Sequence, residues 1–269
     1  MIPLHDDNPS RLTPVVSRAL IAACVLVFLW QLSLGAEQER AIFALGFVPS
    51  ALFGSARLSP DIALVPPAAT LVTSMFLHGG FMHLIGNMLY LWIFGDNIEE
   101  MLGHTRFLLF YLLAGVAAAL TQGLADPGST VPMVGASGAI AGVLGAYIVM
   151  YPHARVLSLV PLGFFMQMIW IPAWVLLGLW FLLQFVSATF AGEQPGGGVA
   201  FWAHIGGFVA GIALLFLLRP GALQAARRYR SGSARFGGPW GTPTRWDRDP
   251  REPKRRPDLK RRGPWGDRR

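Results

Sequence analysis

The chain has 269 residues, 53% of them hydrophobic and only 14% charged, with a mean hydropathy of +0.47. Soluble domains carry nearer a quarter charged residues, so this composition excludes an ordinary soluble globular protein and points to one built for the membrane. The net charge of +7 is uneven: from Arg219 onward 16 Lys/Arg face 5 Asp/Glu, whereas the rest carries 6 against 10.

Residues 1–16 are polar and contain Pro3, Pro9 and Pro14, with Arg11 and Arg18 flanking a first apolar run over 17–34. A basic flank before an apolar run also fits a cleavable signal peptide, but this run approaches spanning length and no clear small-x-small site follows it. Cys24, the single cysteine, lies within it, which excludes an intrachain disulfide and a thiolate metal cluster. A long connection over 35–80 follows, broken by Pro49, Pro60, Pro66 and Pro67. Its semi-apolar piece, Ala41 to Phe53, is too short to span and is read as an interfacial segment.

Further apolar runs lie at 81–98, 105–124, 136–151, 166–190 and 200–218, the fourth short enough to begin below the membrane surface. The expected fold is an all-α membrane protein, a six-transmembrane-helix bundle over 17–219, with 1–16 as a cytoplasmic N-terminal segment. Arg11, Arg18, Arg106, Arg155 and the tail fall on one side, while Arg40 and Arg57 are diluted in the long first loop. The positive-inside rule then places both termini in the cytoplasm, as expected for a multi-pass protein of a bacterial inner membrane.

Residues 220–269 are rich in Arg, Gly and Pro and read as a disordered basic tail. It carries Gly-Pro-Trp-Gly twice, at 238–241 and 263–266. Such a short repeat commonly arises by chance in biased sequence; the functional alternative is contact with anionic lipid through its arginines and tryptophans. No nucleic-acid partner is expected.

This topology sends spans two, four and six from outside to inside, so their N-terminal ends share one depth. His83 and Asn87 on span two, Ser137 on span four and His204 on span six all lie at those ends. A lone membrane serine is usually a packing residue; the shared depth of these four argues for a site instead. Gly138 and Gly142 on span four, and Gly207 and Gly211 on span six, present smooth stripes that permit close helix approach. Packed there, a neutral His204 imidazole can take the Ser137 proton as the hydroxyl attacks a carbonyl. His83 and Asn87, four apart on one helix face, and the Ser137 amide at a helix N-terminus can donate to the oxyanion.

Other hydrolase signatures are missing. Gly135-Ala136-Ser137-Gly138-Ala139 lacks the final glycine of a nucleophile elbow, and a loop rather than a strand precedes it. No His-Glu-x-x-His zinc motif occurs. Asp96 and Asp126 sit at loop edges, which argues against an aspartyl membrane protease. A metal or proton-handling site from His78, His83 and His204 is disfavoured by the five-residue spacing of the first two; no cofactor is expected.

These residues resemble the rhomboid intramembrane serine proteases. The matching pieces are His78-Gly79-Gly80-Phe81-Met82-His83 with Asn87, Glu99 with Gly103, Gly135-Ala136-Ser137-Gly138, and Ala203-His204-Ile205-Gly206-Gly207 with Gly211. The resemblance implies a Ser137 nucleophile, a His204 base, and an oxyanion hole from His83, Asn87 and the Ser137 amide. It also implies structural roles for His78 and Glu99. Two departures stand out: the family's Trp-Arg pair of the first loop falls at Ala69 and Thr70, and the aromatic residue four after the serine is Ala141. His204 is therefore expected to be held by glycine-mediated packing alone, in a dyad with no third member.

The expected activity is hydrolysis of peptide bonds in or near the transmembrane helices of membrane-protein substrates, close to small or helix-breaking residues where a helix unwinds. The Gly192 to Gly198 connection beside His204 has the composition of a flexible cap. The rival reading is a rhomboid-fold protein that binds membrane clients without cutting them.

Overall fold

The computed structural model describes residues 1–163, 165–190, 200–222 and 224. The proposed cap at 192–198, and the tail apart from its first few residues, lie outside them. The chain opens with strand β1 (Ile2–Asp6), followed by helix α1 (Val15–Ser33). The first loop holds two short helices, α2 (Gln38–Leu45) and α3 (Pro49–Phe53), then α4 (Thr70–Thr73) between 3-10 turns at Pro67–Ala69 and Ser74–Phe76. The bundle continues with α5 (Phe81–Leu102), α6 (His104–Ala125) and α7 (Ser137–Met150). A hairpin of β2 (Arg155–Leu162) and β3 (Phe165–Pro172) leads into α8 (Ala173–Phe190), and α9 (Phe201–Leu218) closes the compact unit Met1–Leu223.

By length and composition, α1, α6, α8 and α9 can each cross a membrane, and a fifth crossing results if Pro67–Phe76 and Phe81–Leu102, bent by 82°, form one broken span. Helix α7 is apolar but has only 14 residues. At 1.5 Å per residue it covers roughly 21 Å of a hydrocarbon core about 30 Å thick. It is also the most enclosed element: every residue from Gly138 to Tyr147 is buried, between α5, α6 and α9. Apolar residues on all sides suit a helix with protein on all sides.

Two parts of the chain depart from the sequence reading. The run expected as one span over 166–190 divides at Pro172, and only Ala173–Phe190 is helical. Residues 165–172 instead pair antiparallel with β2 in register Arg155↔Pro172 to Leu162↔Phe165, and β1 adds to the other edge of β2. Gly163, at φ +62°, turns the hairpin in a conformation suited to glycine. Loop carbonyls take the first amides of α8: Ala173 N–H donates to Ala154 O at 2.8 Å and Trp174 N–H to Pro152 O at 3.0 Å. The N-terminal segment 1–16 is thus partly strand, held across the sheet by Asp7 N–H to Arg155 O at 2.8 Å and Arg155 N–H to Asp7 Oδ1 at 2.7 Å.

The piece Ala41 to Phe53 is likewise not one interfacial segment. It breaks at Gly46, and Ala41, Ala44, Phe47 and Val48 are buried within the protein. Phe47 pairs through its backbone with Met133, in the loop that leads to Ser137. The first loop is therefore fastened to the loop before Ser137, and within it Thr73 Oγ1 donates to Leu45 O at 2.6 Å. At the positions of the absent Trp-Arg pair, Ala69 ends a 3-10 turn and Thr70 is buried, its hydroxyl donating to Pro67 O at 2.6 Å.

At the opposite end, Glu99 ties three elements together. Its fully buried carboxylate accepts from Val16 N–H at 2.8 Å, from Ser17 N–H and Ser17 Oγ at 2.7 Å each, and contacts His104 Nδ1 at 2.6 Å. Helix α1 begins after Pro14 with no cap of its own, so a carboxylate from α5 satisfies its unpaired first-turn amides and meets the positive end of its dipole. Gly103, at φ +79°, is the single residue between α5 and α6, and its turn brings His104 back onto Glu99. That is the physical content of the Glu99/Gly103 spacing.

Candidate active site

Ser137 is the first residue of α7, and its hydroxyl stands 2.8 Å from His204 Nε2 of α9. Glycine makes this approach possible. A Cβ on Gly207 would lie 2.0 Å from Gly138 O, and one on Gly211 would lie 2.1 Å from Gly142 O. A Cβ on Gly138 or Gly142 would stand 2.6 Å from the methyl of Ala118 or Ala114, on α6. The two stripes thus meet one another and α6, with backbone against backbone.

The loop before Ser137 is held by Gly135 N–H to Ser74 O at 2.9 Å. Gly135 has φ +123°, and a Cβ there would sit 2.7 Å from His83 Cε1 and Nε2 and 3.6 Å from Asn87 Nδ2. The absent side chain leaves room for those two polar groups beside the loop that leads to Ser137. Gly79 N–H donates to His83 Nδ1 at 3.3 Å. The proton of a neutral ring then sits on Nε2, the nitrogen facing Gly135. Asn87 is buried, and its Nδ2 has no hydrogen-bond partner among the described residues. A buried amide donor without a partner is costly unless something else accepts from it. Two N–H donors therefore lie beside Gly135, two residues before Ser137.

His78 is fully buried in the connection before α5. Its backbone exchanges bonds with the Gln31 amide, His78 N–H to Gln31 Oε1 at 3.0 Å and Gln31 Nε2 to His78 O at 3.2 Å. Its ring lies edge-on to His83, with centroids 5.3 Å apart. These contacts lock the entry to α5 against α1. Among the described residues no three His, Cys, Asp or Glu side chains are grouped to hold a metal ion.

His204 is not held by glycine packing alone. Its Nδ1 lies 2.7 Å from Gln184 Oε1, and its ring lies beside Trp180 with centroids 5.6 Å apart and planes at 38°. Both partners come from α8. Trp180 provides an aromatic neighbour from a different helix than the one Ala141 occupies; Ala141 itself is fully buried. Sequence reasoning passed over Gln184, Trp180 and Gln122, whose Oε1 accepts from Ala203 N–H at 3.3 Å. The available signal was Gln31, Gln122 and Gln184 in apolar runs, where an amide side chain is expensive unless partnered.

Bundle and site together define a helical membrane protein with a serine-histidine pair enclosed where two glycine-striped helices cross. Residues 67–221 match the Rhomboid domain model, more than half of the chain, and the chain belongs to the rhomboid family. Among curated relatives it is 32% identical to Rhomboid protein 1, mitochondrial, of Saccharomyces cerevisiae over 60% of this chain and 46% of that protein. It is 32% identical to Rhomboid-like protein 11, chloroplastic, of Arabidopsis thaliana over 55% of this chain and 51% of that one. Rhomboid protease GluP of Bacillus subtilis is 45% identical over 29% of this chain and 15% of its own length. The matches thus span about half or less of these relatives, which include organellar proteins.

Proposed function

We propose that this chain is an intramembrane serine endopeptidase that cuts membrane-protein substrates in or near their transmembrane helices. The observation that carries the reading is the 2.8 Å approach of Ser137 Oγ to His204 Nε2. His204 Nε2 takes the hydroxyl proton as Oγ bonds to the scissile carbonyl carbon, and the carbonyl electron pair moves onto oxygen. His83 Nε2–H, Asn87 Nδ2–H and the Ser137 amide donate to that oxyanion. His204 then returns the proton to the leaving amine as the C–N bond breaks, leaving an acyl-serine. Water, deprotonated by the same nitrogen, releases the acid and restores Ser137.

In this reading 17–219 is a six-span protease domain in which α5 and α7 count as crossings. The preceding segment 1–16 and the tail 220–269 lie on the cytoplasmic face of a bacterial inner membrane, the tail against anionic lipid. Both Gly-rich stripes, His78 and Glu99 serve the geometry rather than the chemistry. The test is reconstitution with a labelled single-span substrate. Cleavage by the unmodified chain, and its loss in Ser137→Ala, are expected; equal cleavage by both refutes the mechanism. Client binding that persists without cleavage, together with no labelling of Ser137 by a fluorophosphonate, would make the chain a non-proteolytic client binder.

A further inference from the structure

His204 presents two nitrogens, and only one arrangement of its proton makes it a base. If Nδ1 carries the hydrogen, Nε2 offers a lone pair to the Ser137 hydroxyl; if Nε2 carries it, the ring can only donate to Ser137 and cannot accept its proton. The choice is set by what Nδ1 meets. Gln184 Oε1, 2.7 Å away, is an acceptor, so it is satisfied only by Nδ1–H. Trp180, one turn earlier on the same helix, lies beside the imidazole and limits its rotation.

We infer that Gln184 is a positioning residue, which acts through His204 by holding its imidazole in the tautomer that leaves Nε2 free for Ser137. This rests on the protease reading above and adds a third member, a neutral amide, to the expected dyad. The role normally falls to a carboxylate, whereas here an amide oxygen accepts the hydrogen bond without a charge. The acceptor comes from α8, which buries only Ala173, Leu176 and Leu177, all in its first two turns. Orientation of the base therefore depends on the seating of a helix whose other side chains are at least partly exposed.

Substitutions at Gln184 separate the amide's acceptor function from its bulk. Gln184→Glu keeps an acceptor of the same shape and is expected to retain cleavage within about tenfold. Gln184→Leu removes the acceptor, and Gln184→Lys presents only donors. Both are expected to lower kcat with KM little changed. The loss should lie between tenfold and the roughly 10⁴-fold observed when a serine hydrolase's base is held in the wrong tautomer. The assay uses the full chain reconstituted with a labelled single-span substrate, with fluorophosphonate labelling of Ser137 in parallel and detergent melting curves confirming that each variant folds. Native kcat in Gln184→Leu, or a loss in Gln184→Glu as deep as in Gln184→Lys, overturns the assignment. An unmodified chain that neither cleaves nor labels overturns the protease reading instead. Should Gln184→Leu fail to fold, Gln184→Met, a closer match in length, carries the same prediction.

Discussion

Gly207 of α9 lies so close to Gly138 of α7 that a single methyl group on Gly207 would stand 2.0 Å from the Gly138 carbonyl oxygen. Backbone cannot yield as a flexible side chain can, so even alanine must push the two helices apart. Gly207→Ala is expected to cost about 1–3 kcal/mol by overpacking and to cut cleavage by widening the gap between Ser137 and His204. Gly86→Ala, in α5 where an added Cβ meets nothing within 4 Å among the described residues, is expected to be neutral or slightly stabilising. Melting temperature and turnover measured on both variants check the contrast.

Asn87 separates chemistry from stability. Its Nδ2 donates to nothing among the described residues, so Asn87→Ala breaks no hydrogen bond of that group there. Removing one oxyanion donor is worth about 2.7–4 kcal/mol of transition-state stabilisation, or roughly 10² to 10³ in kcat. The expected outcome is that loss in kcat with little change in melting temperature. A large fall in melting temperature would instead give Asn87 a structural role.

Glu99 should behave in the opposite way. Its carboxylate accepts from two amides and a hydroxyl of α1, and Glu99→Gln turns one acceptor oxygen into a donor facing donors. The change is expected to destabilise the protein by about 1–3 kcal/mol. His104→Ala should cost less, because that ring is partly exposed. Denaturation in detergent compares the two.

The N-terminal strand carries a proton-sensitive contact. Burial pushes the Asp6 carboxyl up to about 6, while its bond from the Tyr147 hydroxyl pulls the other way and Asp7 adds to the rise. A carboxyl raised in the folded state takes up a proton on docking, so its contribution is fullest below its ordinary value of 3.8 and is lost as pH climbs through about 6. Amide protection in β1, corrected for intrinsic exchange, should therefore be greater at pH 5 than at pH 7.5. Asp6→Asn should flatten that dependence.

The pairing of Ser137 with His204 was legible because both begin apolar runs of one expected direction, with His83 and Asn87 at the start of a third. The glycines were legible for a similar reason, since residues four apart share one helical face. Strand β3 was not, because a continuous apolar run from 166 to 190 carries no period that separates strand from helix. Its partner's partner, β1, lies at the far end of the chain. Gln184 and Trp180 escaped because the rotation of α8 about its axis follows from packing, not from the composition of an almost wholly apolar helix.

The pairing of β1 with β2 also bears on how the molecule assembles. Asp7 and Arg155, which bond across that edge, are 148 residues apart in sequence. At ribosomal speeds of about 5–20 residues per second, β1 waits roughly 7–30 s for its partner to be made. During that interval α1, α5, α6 and α7 emerge, so the sheet forms when the helix that carries Ser137 already exists. The strand beside Tyr147 then works as a late clasp, fastening the foot of α7 after its neighbours have emerged.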